Sequence, residues 1–269
     1  MSSEDEGEIR LILEEIFRRY HYDFRSYSLA SLKRRLSVAC VQLQCESLAQ
    51  LRARLALEDG LFGRLLQFLT VQVSDMFRDP SFFLLLREQI IPVLRTYPSL
   101  KFWIAGCSTG EELYSFAILL REEGLLERSM LYATDINPDA LHRAEAGIYP
   151  IDRVALFSEN HRAAGGKSSL AAHYAAAYDS VVFDRSLRRN VVFADHSLAT
   201  DSVFAEVHVV SCRNVLIYFD QALQERALGL MKDALVRRGF LGLGSRETLQ
   251  FSSHARAFGE LVAGERWYQ

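Results

Sequence analysis

Two glycines and two carboxylates lie close enough in the 269-residue sequence to hold a small charged ligand: Gly106, Gly110, Glu112 and Asp135. The stretch from Phe102 to Ala117, FWIAGCSTGEELYSFA, opens on aromatic and aliphatic residues of the kind a buried parallel strand uses. Gly106 and Gly110 then bracket small residues, and Glu111 and Glu112 lead into a helix-like run, LYSFAILL. Strand, glycine-rich turn and helix make the first βα turn of a nucleotide-type α/β fold. Glycine lets the backbone approach a ligand, and the open N–H groups of a helix start hold an anionic or polar group. The turn is neither a phosphate-binding loop nor a full dinucleotide fingerprint, because no Gly-Lys-Ser/Thr follows and GCSTG lacks the third glycine of GxGxxG. Two glutamates in the first helical turn would repel a pyrophosphate. A ligand carrying positive charge fits better, and S-adenosylmethionine, with its ammonium and sulfonium, is one.

Asp135 ends a second strand, LYATDI (131–136), about 25 residues beyond Gly110. An acidic residue there is placed to bind both hydroxyls of a ribose. Asn137-Pro138 then starts a helix that Gly147 closes. Further strands are expected at NVVFAD (190–195), EVHVVSC (206–212) and GFLGLG (239–244), with a helix from a capping Asp220 to about Arg237. The tail HARAFGELVAGERWYQ could supply a final antiparallel pair. Strands alternating with helices predict a doubly wound, mainly parallel sheet with its ligand over the carboxyl ends of the strands. Residues 148 to 190 interrupt this rhythm with an alanine-rich stretch and one short strand, YDSVVFD, as an inserted subdomain would.

Ahead of the sheet, residues 8 to 70 read as helices only, with no glycine or proline between Gly7 and Gly60. Ser31 is an expected N-cap before LKRRL, and Asp79-Pro80 reads as cap and first helical residue of the next helix, which Pro92 kinks or ends. Arg18, Arg19, Arg25, Lys33, Arg34 and Arg35 cluster within two of these helices, either as a solvated face or as a docking surface for an acidic protein partner. Net charge is −3 and the pI about 6.2, which argues against bulk nucleic-acid binding. No apolar run approaches a membrane span of roughly 18 residues, and the acidic start MSSEDEGEIR is unlike a signal peptide. Cys40, Cys45, Cys107 and Cys212 show no CxxC pairing and read as reduced and non-ligating, and no metal site is expected.

The segment after the fourth expected strand, CRNVLIYF (212–219), is dense in polar and aromatic groups. Together with MFRDP (76–80), AGCSTGEELYSFAILL (105–120), ATDINPDALHRAEAGIY (133–149), HSL (196–198) and LGLGSRE (241–247), it resembles the CheR-type chemotaxis receptor methyltransferases along almost the whole chain. The resemblance implies a class I methyltransferase-like sheet domain over 81–269, with an inserted β-subdomain at about 150–190. It also implies a helical, receptor-facing domain over 1–80. The activity implied is S-adenosylmethionine-dependent O-methylation of glutamate side chains on a chemoreceptor's cytoplasmic helical domain. That reaction leaves S-adenosylhomocysteine, in a cytoplasmic protein with no direct membrane insertion. A carboxylate is already a nucleophile at pH 7, so no general base is required and rate comes from alignment and electrostatics.

Carried over residue by residue, the resemblance gives the cofactor's ammonium to Glu112 and its ribose to Asp135. Further cofactor contacts fall on Gln72, Ser74, Arg78, Gly106, Gly110, Ser197, Leu198, Cys212 and Arg213. Arg78 and Tyr218 are the catalytic candidates, orienting the substrate carboxylate, and Lys33, Arg34 and Arg35 the partner-binding ones. Asn214 and Glu247 read as loop anchors, and His196 as structural. Gln72 and Ser197 stand where the family uses asparagine, Ser74 where it uses threonine, and His208 where an acidic residue is common; RRGF (237–240) lacks paired glycines and GSRE replaces a GHSE-like turn. Losing one or two hydrogen bonds costs on the order of 1 kcal/mol each, which weakens cofactor binding without abolishing it. Two other functions fit the same residues: a cofactor-binding regulatory protein with little turnover, and a methyltransferase for another acceptor.

Overall fold

The computed structural model describes residues 3–269. Contacts divide the chain into two units, the first running to Gln72 and gathering in Ser197–Asp201 and Tyr218–Ala227 from later in the chain, the second holding the remainder.

The first unit is built on four helices, α1 (Ser3–Tyr20), α2 (Leu29–Gln42), α3 (Leu48–Leu57) and α4 (Leu61–Leu69). Each turns one apolar stripe inward at helical spacing. Ile9, Ile12 and Ile16 of α1, Leu32, Leu36 and Ala39 of α2, Leu51 and Leu55 of α3, and Leu65 and Leu69 of α4 are all fully buried. Ser47 caps α3 by accepting from the Gln50 N–H at 3.2 Å. The cap expected at Ser31 is not formed: α2 already begins at Leu29, and Ser31 lies inside its first turn.

The second unit opens on α5 (Pro80–Leu85), which passes through a π-helical turn (Leu86–Ile90) into α6 (Ile91–Leu94). Pro92 therefore sits near the end of this helix. An α-helical turn before it would drive its ring into a carbonyl one turn back, and the wider π turn gives that room. Asp79 occupies the N-cap position of α5, but at φ +55° its carboxylate makes no cap; it is drawn instead to Arg213, as described below.

The main sheet has the strands β1 (Leu100–Ala105), β2 (Ser129–Asp135), β6 (Val191–Asp195), β7 (Val207–Cys212), β8 (Leu235–Leu243) and β9 (Trp267–Tyr268), in the order β6-β2-β1-β7-β8-β9. All neighbours run parallel except β9, which pairs antiparallel with β8. Between them lie α7 (Glu111–Glu122), α8 (Pro138–Ala146) and α10 (Gln221–Ala234). Asn137 caps α8 through the Asp139 and Ala140 N–H groups, and Gly147 closes it at φ +65°. Asp220 caps α10, accepting from the Leu223 N–H at 2.9 Å. His208, in place of an acidic residue, uses Nδ1 to accept the Lys101 N–H at 3.1 Å. The strand order reverses between β1 and β7, so the loops after Ala105 and Cys212 flank the crevice where such sheets bind ligands.

The insertion between β2 and β6 holds a second sheet, β3 (Ile148–Pro150), β4 (Tyr174–Ala177) and β5 (Ser180–Phe183), antiparallel in the order β3-β5-β4, with α9 (Val154–Ala163) beside it in sequence. The alanine-rich stretch is thus itself a strand, fixed by the Tyr174–Phe183 to Ala177–Ser180 register rather than by its own weak β propensity. Among the described residues, no helix is long and apolar enough to cross a membrane.

Candidate active site

The loop after β1 alternates into left-handed backbone at Gly106, Ser108 and Gly110, with φ of +70°, +51° and +93°. Close packing as well as φ excludes side chains at the two glycines. A Cβ on Gly106 would stand 2.5 Å from Val215 Cγ2, and one on Gly110 2.8 Å from the Ala144 Cβ. The carboxylate of Asp135, at the end of β2, reaches across to this loop. Its Oδ2 accepts the Ser108 N–H at 2.8 Å and its Oδ1 the Asn137 N–H at 2.9 Å. Burial pushes the Asp135 carboxyl up, and the N–H groups of Asn137, Ser108 and Ile136 pull it back. Three N–H donors leave the carboxylate with acceptor capacity for a hydroxyl donor.

The two first-turn glutamates of α7 face different ways, and each meets an arginine. Glu112 accepts the Ser211 hydroxyl at 2.7 Å and Arg213 Nη1 at 2.9 Å. Ser211 and Arg213 stand two apart at the end of β7, so strand alternation puts both on the side of Glu112. Arg213 continues to the segment before α5, donating from Nη2 to the Arg78 carbonyl at 2.7 Å and to Asp79 Oδ2 at 2.8 Å. Its guanidinium also lies 4.1 Å from the Phe82 ring centroid, and its side chain is 1% exposed. Glu111, buried, accepts Arg153 Nη1 at 2.9 Å and the Thr109 hydroxyl at 2.7 Å. Burial raises its carboxyl, against the hydrogen bond from Thr109 and the charge of Arg153. Arg153 also donates to the Ser74 carbonyl and to Asp75.

The sequence-predicted residues divide between the two units. Ser74, Arg78, Gly106, Gly110, Glu112, Asp135, Cys212 and Arg213 belong to the second, and Gln72, Ser197, Leu198 and Tyr218 to the first. Arg78 is half-buried, and among the described residues none hydrogen-bonds or ion-pairs with its guanidinium, whose backbone carbonyl Arg213 holds. Cys212 is fully buried, which pushes its thiol far up. Glu247 anchors the loop after β7, accepting the Asn214 and Gly244 N–H groups at 2.9 and 2.7 Å and that of Ile217 at 3.3 Å.

Within the first unit, Tyr218 lies beneath Arg35, whose guanidinium carbon is 4.3 Å from the ring centroid. Arg35 also donates to the Leu69 carbonyl and is only 6% exposed. This corrects its assignment to a docking surface: α2 turns Arg35 inward beside Leu36, while Arg34 faces solvent and Lys33 is partly covered, 3.9 Å from Glu6.

Sequence reading did not find Ser211, Asp79, Glu111 or Arg153 as members of this cluster. Ser211 was accessible through its two-residue spacing from Arg213. Arg153 was not, since its partners lie 42 and 78 residues away.

Residues 72–263 match the S-adenosylmethionine-binding domain of the CheR methyltransferases, and residues 7–70 match their all-alpha domain. The chain belongs to the CheR methyltransferase family, with S-adenosylmethionine as its cofactor. Its similarity to the Cher3 protein of Pseudomonas putida is 56% identity over 262 residues, covering 97% of this chain and 96% of that one. It is 31% identical to chemotaxis protein methyltransferase 2 of Pseudomonas aeruginosa, over 85% of this chain and 82% of the relative. With a chemotaxis protein methyltransferase of Listeria innocua it shares 28% identity over 84% of each.

The residues present fit that cofactor. Glu112 and Asp79 share the single guanidinium of Arg213, which leaves the cluster with a net negative charge toward a cationic ligand. Asp135 keeps acceptor capacity for hydroxyls at the end of β2.

Proposed function

We propose that this chain methyl-esterifies glutamate side chains on the cytoplasmic helical domain of a chemoreceptor. The observation that carries the reading is Arg78: a half-buried guanidinium without an ion-pair partner among the described residues, on a segment whose backbone is fixed on both sides. A carboxylate substrate supplies the charge that Arg78 lacks. Bound S-adenosylmethionine supplies an electrophilic methyl group on its sulfonium. Glu112 attracts the ammonium of the cofactor, and Asp135 accepts from its ribose hydroxyls. The backbone around Gly106 and Gly110 would hold it, with Ser74, Gln72, Ser197, Leu198, Cys212 and Arg213 as further candidate contacts. Arg78 and Tyr218 orient the attacking carboxylate, which is already deprotonated and needs no base. Lys33 and Arg34 meet the acidic surface of the receptor.

The test is transfer of labelled methyl groups from S-adenosylmethionine to receptor-containing membranes, followed by mild alkali. Glutamyl esters release the label as methanol. Label that survives alkali would mean a different acceptor atom and would overturn the reading. A regulatory protein that binds cofactor with little turnover is the second reading. It is favoured by Gln72 and Ser197, which depart from the family's asparagines at two cofactor-contact positions, and it predicts cofactor binding with no transfer.

A further inference from the structure

Met76, Phe77, Arg78 and Asp79 form a short segment with an unfavourable backbone. Phe77 and Asp79 both have positive φ, +50° and +55°, a region that side chains with a Cβ rarely adopt. Such a conformation persists only where its surroundings over-determine it. Four sets of contacts do so, one of them the Asn160 Nδ2 of α9 donating to the Met76 carbonyl at 3.0 Å. The Phe77 N–H donates to the Ser115 hydroxyl of α7 at 2.8 Å. Arg213 holds the Arg78 carbonyl and the Asp79 carboxylate from one end. Arg153 holds the Ser74 carbonyl and the Asp75 carboxylate from the other.

The two arginines make the same connection twice. Each joins one first-turn glutamate of α7, Glu111 or Glu112, to one end of the 74–79 segment through a two-armed guanidinium. Arg213 comes from the main sheet. Arg153 comes from the insertion, immediately after β3, with its guanidinium carbon 4.8 Å from the centroid of Phe157 in α9. The insertion is thereby tied to the segment that carries Arg78 through Arg153, and again through Asn160 of α9, whose Nδ2 donates to the Met76 carbonyl.

We propose that Arg153 is a positioning residue for methyl transfer: by bridging Glu111 to Ser74 and Asp75, it fixes the backbone that presents Arg78. The proposal rests on the functional reading above for its catalytic consequence, but the clamp itself does not. A lysine at 153 keeps the charge without the fork, so it can satisfy one of the two ends only.

The first readout is hydrogen exchange of the cofactor-free protein. Arg153→Gln should speed exchange of the Phe77 amide at least tenfold while core amides of β1 and β7 stay protected. Asp75→Asn, a partly exposed change that leaves Glu111 paired, should give a smaller acceleration at the same amide. The second readout is methyl transfer. Arg153→Gln should lower kcat at least tenfold, Arg153→Lys should recover part of the loss, and in an Arg78→Ala background Arg153→Gln should change the residual rate less than twofold. Unchanged exchange at Phe77 in both variants overturns the clamp. An equal loss of rate with and without Arg78 overturns its action through that residue. If the wild-type protein transfers no methyl group to glutamate, the functional reading fails, and the exchange result still decides the clamp.

Discussion

Glu112 Oε2 lies 2.9 Å from Arg213 Nη1, so the carboxylate assigned to the cofactor's ammonium is ion-paired within the protein itself. The pair orients the carboxylate: Arg213 is held by Asp79, Arg78 and the Phe82 ring, and Glu112 is fixed in turn. A pre-oriented acceptor costs a ligand less ordering entropy than a free one. Glu112→Gln keeps the shape and removes the charge. It should weaken binding of S-adenosylmethionine and S-adenosylhomocysteine together, by roughly 10- to 100-fold, or about 1.4 to 2.7 kcal/mol. Calorimetric titration measures both, and unaltered affinity would remove Glu112 from the site.

Arg78 differs from Asp79 and Asp75 in that, among the described residues, none is hydrogen-bonded or ion-paired to its side chain. Removing it should therefore leave the fold intact and strike the reaction. Arg78→Ala is expected to lower kcat at least 100-fold, about 2.7 kcal/mol of transition-state stabilisation, while shifting stability by less than about 0.5 kcal/mol. Thermal unfolding and single-turnover methyl transfer on the same preparation check both halves. A variant that loses stability in proportion to activity would make Arg78 a structural residue.

Much of this was readable before the structure. The turn from Gly106 to Gly110, the strand ending at Asp135 and the caps at Asn137 and Asp220 are local features, each set by residues within one turn of one another, and each was legible. The cluster around α7 was not. Arg153 meets Glu111, Ser74 and Asp75 because the insertion folds back, and no period or motif in the sequence encodes that return. Asp79 shows the same limit from the other direction. Its position before Pro80 is a sound capping signal, yet a buried guanidinium attracts a carboxylate more strongly than backbone N–H groups do. The alanine-rich strand β4 follows the partner strand rather than its own composition.

The basic stretch on α2 separates into two kinds of residue. Arg35 is buried, with Nε and Nη2 lacking hydrogen-bond partners among the described residues, so it carries a desolvation cost that its contacts with Leu69 and the Tyr218 ring offset in part. Arg35→Met should leave stability unchanged or raise it by up to about 2 kcal/mol, as replacement of buried charge by apolar volume often does. Its receptor KM and the salt dependence of methylation should not move. Changing Lys33 and Arg34 to alanine should raise the receptor KM several-fold and flatten the salt dependence. The opposite pattern, with Arg35 alone controlling the salt response, would restore it to the docking surface.

Glu122, at the end of α7, is one of the carboxyls in the second unit, with Glu123 and Asp184, that folding holds below their ordinary range. Its side chain is 4% exposed and receives Arg87 Nη2, His161 Nε2 at 3.1 Å and the Ser168 hydroxyl at 2.7 Å. Burial alone would raise its carboxyl, but the hydrogen bonds from His161 and Ser168, with the His173 ring 3.8 Å away, outweigh it and hold the group far below its ordinary value of 4.5. A carboxyl with a depressed folded pKa contributes stability that is fully present above its unfolded value and is lost as pH falls. Unfolding free energy should therefore drop on acidification below about pH 4.5, with Glu122 contributing ~1.4 kcal/mol per pH unit. Glu122→Gln leaves Arg87 with Glu123 as its remaining carboxylate partner. It should cost about 3 to 5 kcal/mol at pH 7, as breaking a buried pair does. In exchange the acid limb should become shallower by about one proton's worth. Denaturant titrations of both proteins from about pH 7 down to pH 3.5 read the two slopes. Equal slopes would mean that Glu122 exchanges no proton on unfolding and that other carboxylates set the acid limit.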